Sequence, residues 1–412
     1  MNLPSSDDRV EPSSPPLVER LRQVLDYRDP RIAMYAFIAL VVALGVKDHL
    51  RGYSAVYAGG FGSNDWLINY GGGFVRRGLF GQLLLIFHGV VSQFGLIPEL
   101  VSIQVVLLVV GAILFAAAAW RVRNRWVPWV LLSPAALLWS SYAVEGGMRK
   151  ELLFTILMAA LAIACRSESP RTIVSLNAVA FVLLVVYVFS WEAAATLAPS
   201  VLVLQYLSLR AVDRRLSTLV PVVTLAVLAI AFGLSALFPG TPGNVAGICR
   251  SLVHAGMDVR LTCHGSSATG EIAALLVHPS VFVHKLAGRM PEYLFYGVWL
   301  LIALLPFLAS GWLRRWWKVA ALQFLTLAPI CVLGTDWGRW VHVYVIALSA
   351  LWLATITADE PRERRPLGTI ETMGLFVWVT CWSFNYYNYA LWVGGFWPTL
   401  QRSGVLHLFR EL

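Results

Sequence analysis

The sequence predicts an all-α polytopic membrane protein of about eleven transmembrane helices. Three observations predict it. Of 412 residues 58% are apolar and only 13% charged, where soluble domains carry about 25% charged residues. The charges cluster in short segments between long apolar runs. Mean hydropathy is +0.68, a value that several buried spans would produce. The net charge of +9 is dispersed over short loops, with no basic arm and no aromatic RNA-binding signature. It therefore reads as membrane orientation, and no nucleic-acid partner is expected.

The chain begins with "MNLPSSDDRVEPSSPP", which is polar and proline-rich and lacks the apolar core of a signal peptide. It reads as a flexible tail. "LVERLRQVLDYRDPR" follows with apolar residues near helical spacing, so residues 1–31 are expected to be a cytoplasmic tail ending in a surface helix. The transmembrane domain is expected over 32–385. Its apolar runs lie near 32–48, 79–97, 100–120, 126–143, 152–165, 172–190, 195–210, 216–238, 290–310, 319–334, 341–357 and 367–385.

Whether 79–97 crosses decides the topology. If it does not, and the N-terminus is inside, the arginine-rich segments at 121–125, 166–171, 210–215, 314–318 and 359–365 all fall inside. If it does, the basic majority moves outside. The run also contains His88, two glutamines and several glycines, which suit a free span poorly. It is therefore expected to be a surface helix in a first outer loop, 47–99. A second large outer loop is expected at 239–289, and the C-terminal segment 386–412, with "YALWVGGFWPTL", is a candidate re-entrant segment. The chain is placed in the inner (plasma) membrane with its N-terminus cytoplasmic.

This topology gathers the unusual residues on the outer face. Asp65, Arg76 and Arg77 stand in "SNDWLINYGGGFVRRGLFG". Glu145, Arg149, Lys150 and Glu151 stand in "EGGMRKE", Glu192 in "SWEAA", and Asp336 and Arg339 in "TDWGRW". The 239–289 loop adds Arg250, His254, Asp258, Arg260 and His264. Ionised groups at bilayer depth are costly unless paired or lining a wet cavity. The clusters either pin helix ends by pairing locally or converge on one polar cavity.

Convergence would have a chemistry. Asp65 could accept a proton from an acceptor hydroxyl, and Arg76 and Arg77 are forks suited to phosphate oxygens. Gly71, Gly72 and Gly73 would let the backbone approach a ligand, although no GK[ST] follows to make a Walker loop. Arg149 and Lys150, flanked by Glu145 and Glu151, open a short span and could hold an anion or form a neutral salt-bridge group. Asp336 and Arg339, three residues apart, could pair with each other or orient sugar hydroxyls, with Trp337 and Trp340 as stacking faces.

There is no HExxH, GxSxG or dense Cys/His set. Cys165, Cys331 and Cys381 sit in apolar runs and read as inert. Cys249 and Cys263 share one polar loop and could form a disulfide in an oxidising compartment.

The layout resembles the glycosyltransferase C superfamily: a first outer loop, directly after the first span, carrying an acidic residue (Asp65) and a surface-lying helix (79–97). "NYGGGFVRRGL" also resembles a string in multi-span proteins of bacterial surface-polysaccharide systems. The resemblance implies transfer of a sugar from a polyprenyl-phosphate donor to a glycan or lipid acceptor on the extracytoplasmic face, with Asp65 catalytic. Arg76, Arg77, Glu145, Arg149, Lys150, Glu151, Glu192, Asp336 and Arg339 would bind substrate. The paired acidic residues of many members of the superfamily are absent from the first loop here, so no cofactor is required, and a divalent metal stays open as an alternative that the sequence does not support. Two alternatives stay open: a surface-polysaccharide polymerase or ligase using lipid-diphosphate oligosaccharides, and a lipid-linked glycan transporter or flippase.

Overall fold

The structure, a computed structural model, describes residues 30–56, 64–91, 95–143, 146–257, 263, 272, 289–334, 336–356, 367–384 and 395–405. Glu145, Asp258, Arg260 and His264, the tail 1–29 and most of 386–412 lie outside the described residues. The described residues are all-α, without a strand.

The helices run in chain order from α1 (Pro30–Val56), through α2 (Leu79–Val91) and α3 (Leu96–Trp120), to the short α4 (Val127–Leu131) and α5 (Trp139–Tyr142). Next come α6 (Glu151–Arg166), α7 (Pro170–Ser190), α8 (Ala198–Leu209), α9 (Arg214–Leu237) and α10 (Pro242–His254). The series ends with α11 (Met290–Ala309), α12 (Trp312–Leu333), α13 (Trp337–Thr355), α14 (Thr369–Thr380) and α15 (Phe396–Arg402). Local chemistry sets several of the starts. Ser169 caps α7 ahead of Pro170, Asp213 caps α9, and Thr241 and Asn244 form a capping box ahead of Pro242 in α10.

Six stretches are long and apolar enough to cross a membrane, compatible with a multi-pass membrane protein: Arg31–Arg51, Leu96–Trp120, Pro170–Ser190, Glu192–Leu209, Arg214–Leu237 and Met290–Ala309. The expected 79–97 surface helix is α2. At 13 residues it is about 20 Å long, short of a hydrocarbon core of about 30 Å. Leu96 and Ile97 belong to α3 instead, and His88 of α2 meets the buried Glu99 of α3 at 2.9 Å.

Two expected spans are not continuous. Run 126–143 breaks into α4 and α5, because Pro134 follows Ser133 in its middle and cannot supply a helical N–H. Turn hydrogen bonds, such as Ala136 N to the Ser133 carbonyl at 2.9 Å, serve its buried backbone instead. Run 367–385 holds only the 12 residues of α14. Farther on, Arg314, Arg315 and Lys318 ride on the first turns of α12 rather than in a loop.

Two helices form the interior. Every residue of α6 from Glu151 to Ala162 is buried, and so is every residue of α13 from Trp337 to Leu353. They pack on each other, with α3, α7 and α8 around α6, and α11 and α12 against α13. The N-terminal ends of both carry charge: Arg149, Lys150 and Glu151 on one, Asp336 and Arg339 on the other.

Candidate functional site

The first loop is fastened to α6 before any charge is considered. Asp65–Leu67 form a 3₁₀ turn, fully buried, and the Trp66 indole donates to the Met148 carbonyl at 2.9 Å. The Trp66 ring meets Phe80 edge-on, and the Phe80 N–H donates to the Ser190 hydroxyl at 3.0 Å. This carries Asp65 to the start of α6. There Lys150 Nζ lies 3.4 Å from Asp65 Oδ1 and donates to the Ser190 carbonyl at 2.7 Å.

The other nominated residues join this pair. Arg77 grips Glu192 with two prongs, Nε to Oε2 and Nη2 to Oε1, both at 2.8 Å, and Arg76 reaches the same carboxylate at 3.5 Å. The Arg77 carbonyl accepts from Lys150 at 3.4 Å, which links the Glu192 group to the Asp65 group. Arg77 holds a left-handed φ of 68°, a strain of about 1–3 kcal/mol that a tight environment must offset. On the far side Arg339 donates to Asp336 at 2.6 Å and forms a close ion pair with Glu151, and Arg149 lies 3.9 Å from Asp336. The Arg339 guanidinium also sits over the faces of Trp191 and Trp340, which stack 5.2 Å apart.

Nine of the ten nominated residues thus gather at the start of α6 in three ion-paired groups, Arg76 and Arg77 with Glu192, Lys150 with Asp65, and Arg149 and Arg339 with Asp336 and Glu151, the first two joined through the Arg77 carbonyl and the last two through the consecutive positions 149–151. The tenth, Glu145, lies outside the described residues. The groups meet one another as ion pairs rather than facing across an open cavity. Asp65, Arg149, Lys150, Glu151 and Arg339 are buried, while Arg77 and Asp336 keep side-chain exposures of 22% and 24%. The charges are buried at the centre, and partial exposure returns on both sides, at Arg77 and at Asp336.

Burial alone would raise the Asp65 carboxyl. The cations Lys150, Arg149, Arg77 and Arg339 outweigh that and hold it down at about 2. Its Oδ2 and the Oε2 of Glu151 are buried and have no hydrogen-bond partner among the described residues. Such atoms would gain from a bound water or a ligand donor.

Several expectations change. The triple glycine serves helix packing. A side chain on Gly72 would meet the Asn244 carbonyl at 2.3 Å, and one on Gly247 would meet Gly72 at 2.2 Å, so the loop and α10 touch backbone to backbone. Asn244 Nδ2 donates to the Gly72 carbonyl at 2.7 Å, and Ser251 donates to Asn69 at 3.0 Å. Trp337 and Trp340 are not open stacking faces. Both are buried, Trp337 against Tyr293 and Tyr296, and Trp340 against Trp191. Cys249 of α10 and Cys263 do form a disulfide, with Cα atoms 6.1 Å apart. Arg250 and His254 lie on α10, outside the ion-pair network.

Sequence reasoning missed Trp66, Ser190 and Trp191. The adjacency of Trp191 to Glu192 was the one available signal for the cation–π partner. Among the described residues no three His, Cys, Asp or Glu side chains gather to hold a metal ion. No protein-family model, curated protein or solved structure matches the chain.

Proposed function

We propose that the chain is an integral-membrane glycosyltransferase that moves a sugar from a polyprenyl-phosphate donor to a glycan or lipid acceptor on the extracytoplasmic face, with its N-terminus cytoplasmic. One observation carries the reading: charged residues from four separate chain segments gather in adjoining ion-paired groups around the start of α6, with Arg77 and Asp336 partly exposed. Arginine forks suit phosphate, and Arg76, Arg77, Arg149 and Arg339 all belong to the cluster. The disulfide supports the outer face. It sits on α10, the helix laid against Gly71–Gly73, and disulfides persist in oxidising compartments.

In the proposed step the acceptor hydroxyl attacks the anomeric carbon of the sugar. The new C–O bond forms as the bond to the phosphate oxygen breaks. The hydroxyl proton passes to a carboxylate, and the phosphate leaves with the electron pair, its charge met by Arg76, Arg77 and Arg149. A carboxyl held at about 2 is a weak base. Phosphate arriving at these cations would offset the field that depresses Asp65, raising its proton affinity when substrate is bound.

The same pairing is what a purely structural clasp would show, since Asp65 and Lys150 are buried against each other. The test uses purified full-length protein in lipid nanodiscs with single-sugar and oligosaccharide polyprenyl donors. Transfer from the single-sugar donor is expected to fall about 10²–10⁴-fold in Asp65→Asn. Because that change strands the Lys150 charge, Asp65→Asn with Lys150→Met is run beside it, and it should fold yet stay inactive. Activity retained by either variant leaves the clasp. Transfer of whole oligosaccharides only would make the protein a polymerase or ligase, and translocation without a new bond a transporter.

A further inference from the structure

The ion pairs leave three buried oxygen atoms over. Asp65 turns Oδ1 to Lys150, and Glu151 turns Oε1 to Arg339. Asp65 Oδ2, Glu151 Oε2 and the Tyr187 hydroxyl have no hydrogen-bond partner among the described residues. All three residues are 2% exposed or less. Buried polar atoms are paired in roughly nine cases of ten or more, so three together need a physical account.

Packing brings the three to one place. Glu151 follows Lys150, the residue that meets Asp65, at the start of α6. Tyr187, in the last turn of α7, lies against that turn. Its ring packs on Phe154, three residues after Glu151, with centroids 6.0 Å apart, and on Trp191 at 5.3 Å. Trp191 in turn carries the Arg339 guanidinium that grips Glu151. The Tyr187 hydroxyl accordingly lies in the fields of Glu151, Arg339 and Asp65, and Asp65 lies in that of Arg339.

Hydrogen-bond counting selects the guest. The carboxylate oxygens only accept, and the phenol brings a single donor, so direct pairing leaves one carboxylate unserved. A water donates twice and accepts once, which serves all three atoms, and about three bonds is what a buried water makes. A metal cation would enter a volume already ringed by Lys150, Arg149, Arg77 and Arg339.

We propose that one buried water bridges Asp65 Oδ2, Glu151 Oε2 and the Tyr187 hydroxyl, and that Tyr187 is the residue that positions it. Under the reading above, on which only this step rests, the water relays the proton that Asp65 takes from the acceptor hydroxyl. Protonated Asp65 gives its proton to the water oxygen as the water gives another to Glu151 Oε2. The water is regenerated, and Tyr187 keeps its own proton. Glu151 shares Arg339 with the partly exposed Asp336, so the relay runs from the interior toward the exposed side.

The experiment is a crystal structure of the full-length chain at a resolution that shows ordered water. Beside it, kcat, KM and the solvent isotope effect are measured for sugar transfer in nanodiscs. The unmutated protein should show a peak about 2.5–3.0 Å from all three oxygens. Tyr187→Phe, which keeps the ring, should lose the peak, lower kcat about tenfold at unchanged KM, and raise the isotope effect. Phe154→Leu, which disturbs the same ring packing and touches no polar atom, should leave the isotope effect where it is. An equal change in both variants makes Tyr187 a packing residue and overturns its role. A side chain in the water's place, direct pairing of Tyr187 with one carboxylate, or an anomalous peak there after a thallium soak overturns the water site. Water in place without transfer by the unmutated protein sinks the enzyme reading alone, whereas transfer unmoved in Tyr187→Phe sinks the relay alone.

Discussion

Helices α9 and α13 have similar apolar content and opposite surroundings. Only 22% of the apolar stretch of α9 is buried, and Leu219, Val222 and Ile230 project outward. In α13 every residue from Trp337 to Leu353 is buried, and the same holds for α6 from Glu151 to Ala162. The outer helices are long and apolar enough to cross a membrane, and a helix facing lipid must be apolar on that face. The inner pair face protein on every side, and there a charged group can be held if another charge meets it. Arg76, Arg77, Arg149, Lys150 and Arg339 lie at the ends of this inner pair or on the first loop strapped across them, whereas the pairs Arg125–Glu371 and Arg402–Asp48 lie outside it. The apolar outer helices form the envelope, and the sheltered helices carry the buried charges.

The sharpest way to break this contrast is to remove an inner charge. Arg339→Met would strand Glu151 beside Tyr187 and the Asp65 group, at a cost of about 3–5 kcal/mol. Arg315→Met, on the exposed start of α12, should stay within about 0.5 kcal/mol. Denaturant unfolding in mixed micelles measures both. Equal effects would mean that the inner charges are solvated and the network is not a buried one.

Truncation of apolar side chains gives the next largest difference. Leu157→Ala, fully buried in α6, should cost about 2–5 kcal/mol, because a closed interior leaves a cavity. Leu301→Ala, 65% exposed on α11, should cost a fraction of that, since lipid refills the space. The same micelle unfolding reads both, and a large loss at Leu301 would show α11 to be covered by a protein surface.

The contrast also explains what the sequence makes legible. Hydropathy finds α3, α7, α9 and α11 because each is a continuous apolar run long enough to cross a membrane. It overstates 126–143, where buried turns carry apolar residues for packing and Pro134 prevents a helix. Asp65, Arg76, Arg77, Arg149, Lys150, Glu151, Glu192, Asp336 and Arg339 stand out by being charged in an apolar chain, and the positive-inside argument groups them on one face. Their partners are not readable. The 3.4 Å contact of Lys150 with Asp65 and the pairing of Arg339 with Glu151 depend on how α6 and α13 cross, which no local pattern encodes. Gly71–Gly73 misled for a related reason. Close approach was correctly read, but the thing approached is α10. The Asp48–Arg402 pair at 2.8 Å, which fastens α15 to α1, gave no signal at all.

The smallest expected effect is an acid limb. Asp65 is held at about 2 in the folded protein, below its ordinary 3.8, because Lys150, Arg149, Arg77 and Arg339 outweigh the opposing cost of burial. A carboxyl depressed by folding contributes stability that is fully present above its unfolded value and fades as pH falls through the folded one. Asp65 should therefore add nothing to the pH dependence between about pH 5 and 8, and should weaken the fold between about pH 4 and 2. Neutral-pH stability cannot isolate this, since Asp65→Asn also strands Lys150. The slope can. The unfolding free energy of Asp65→Asn with Lys150→Met, followed from pH 5 downward, should fall less steeply than that of the unmutated chain. Parallel slopes would mean that Asp65 titrates near its ordinary value, that its neighbouring cations are screened by water, and that the interior is wetter than the outer helices suggest.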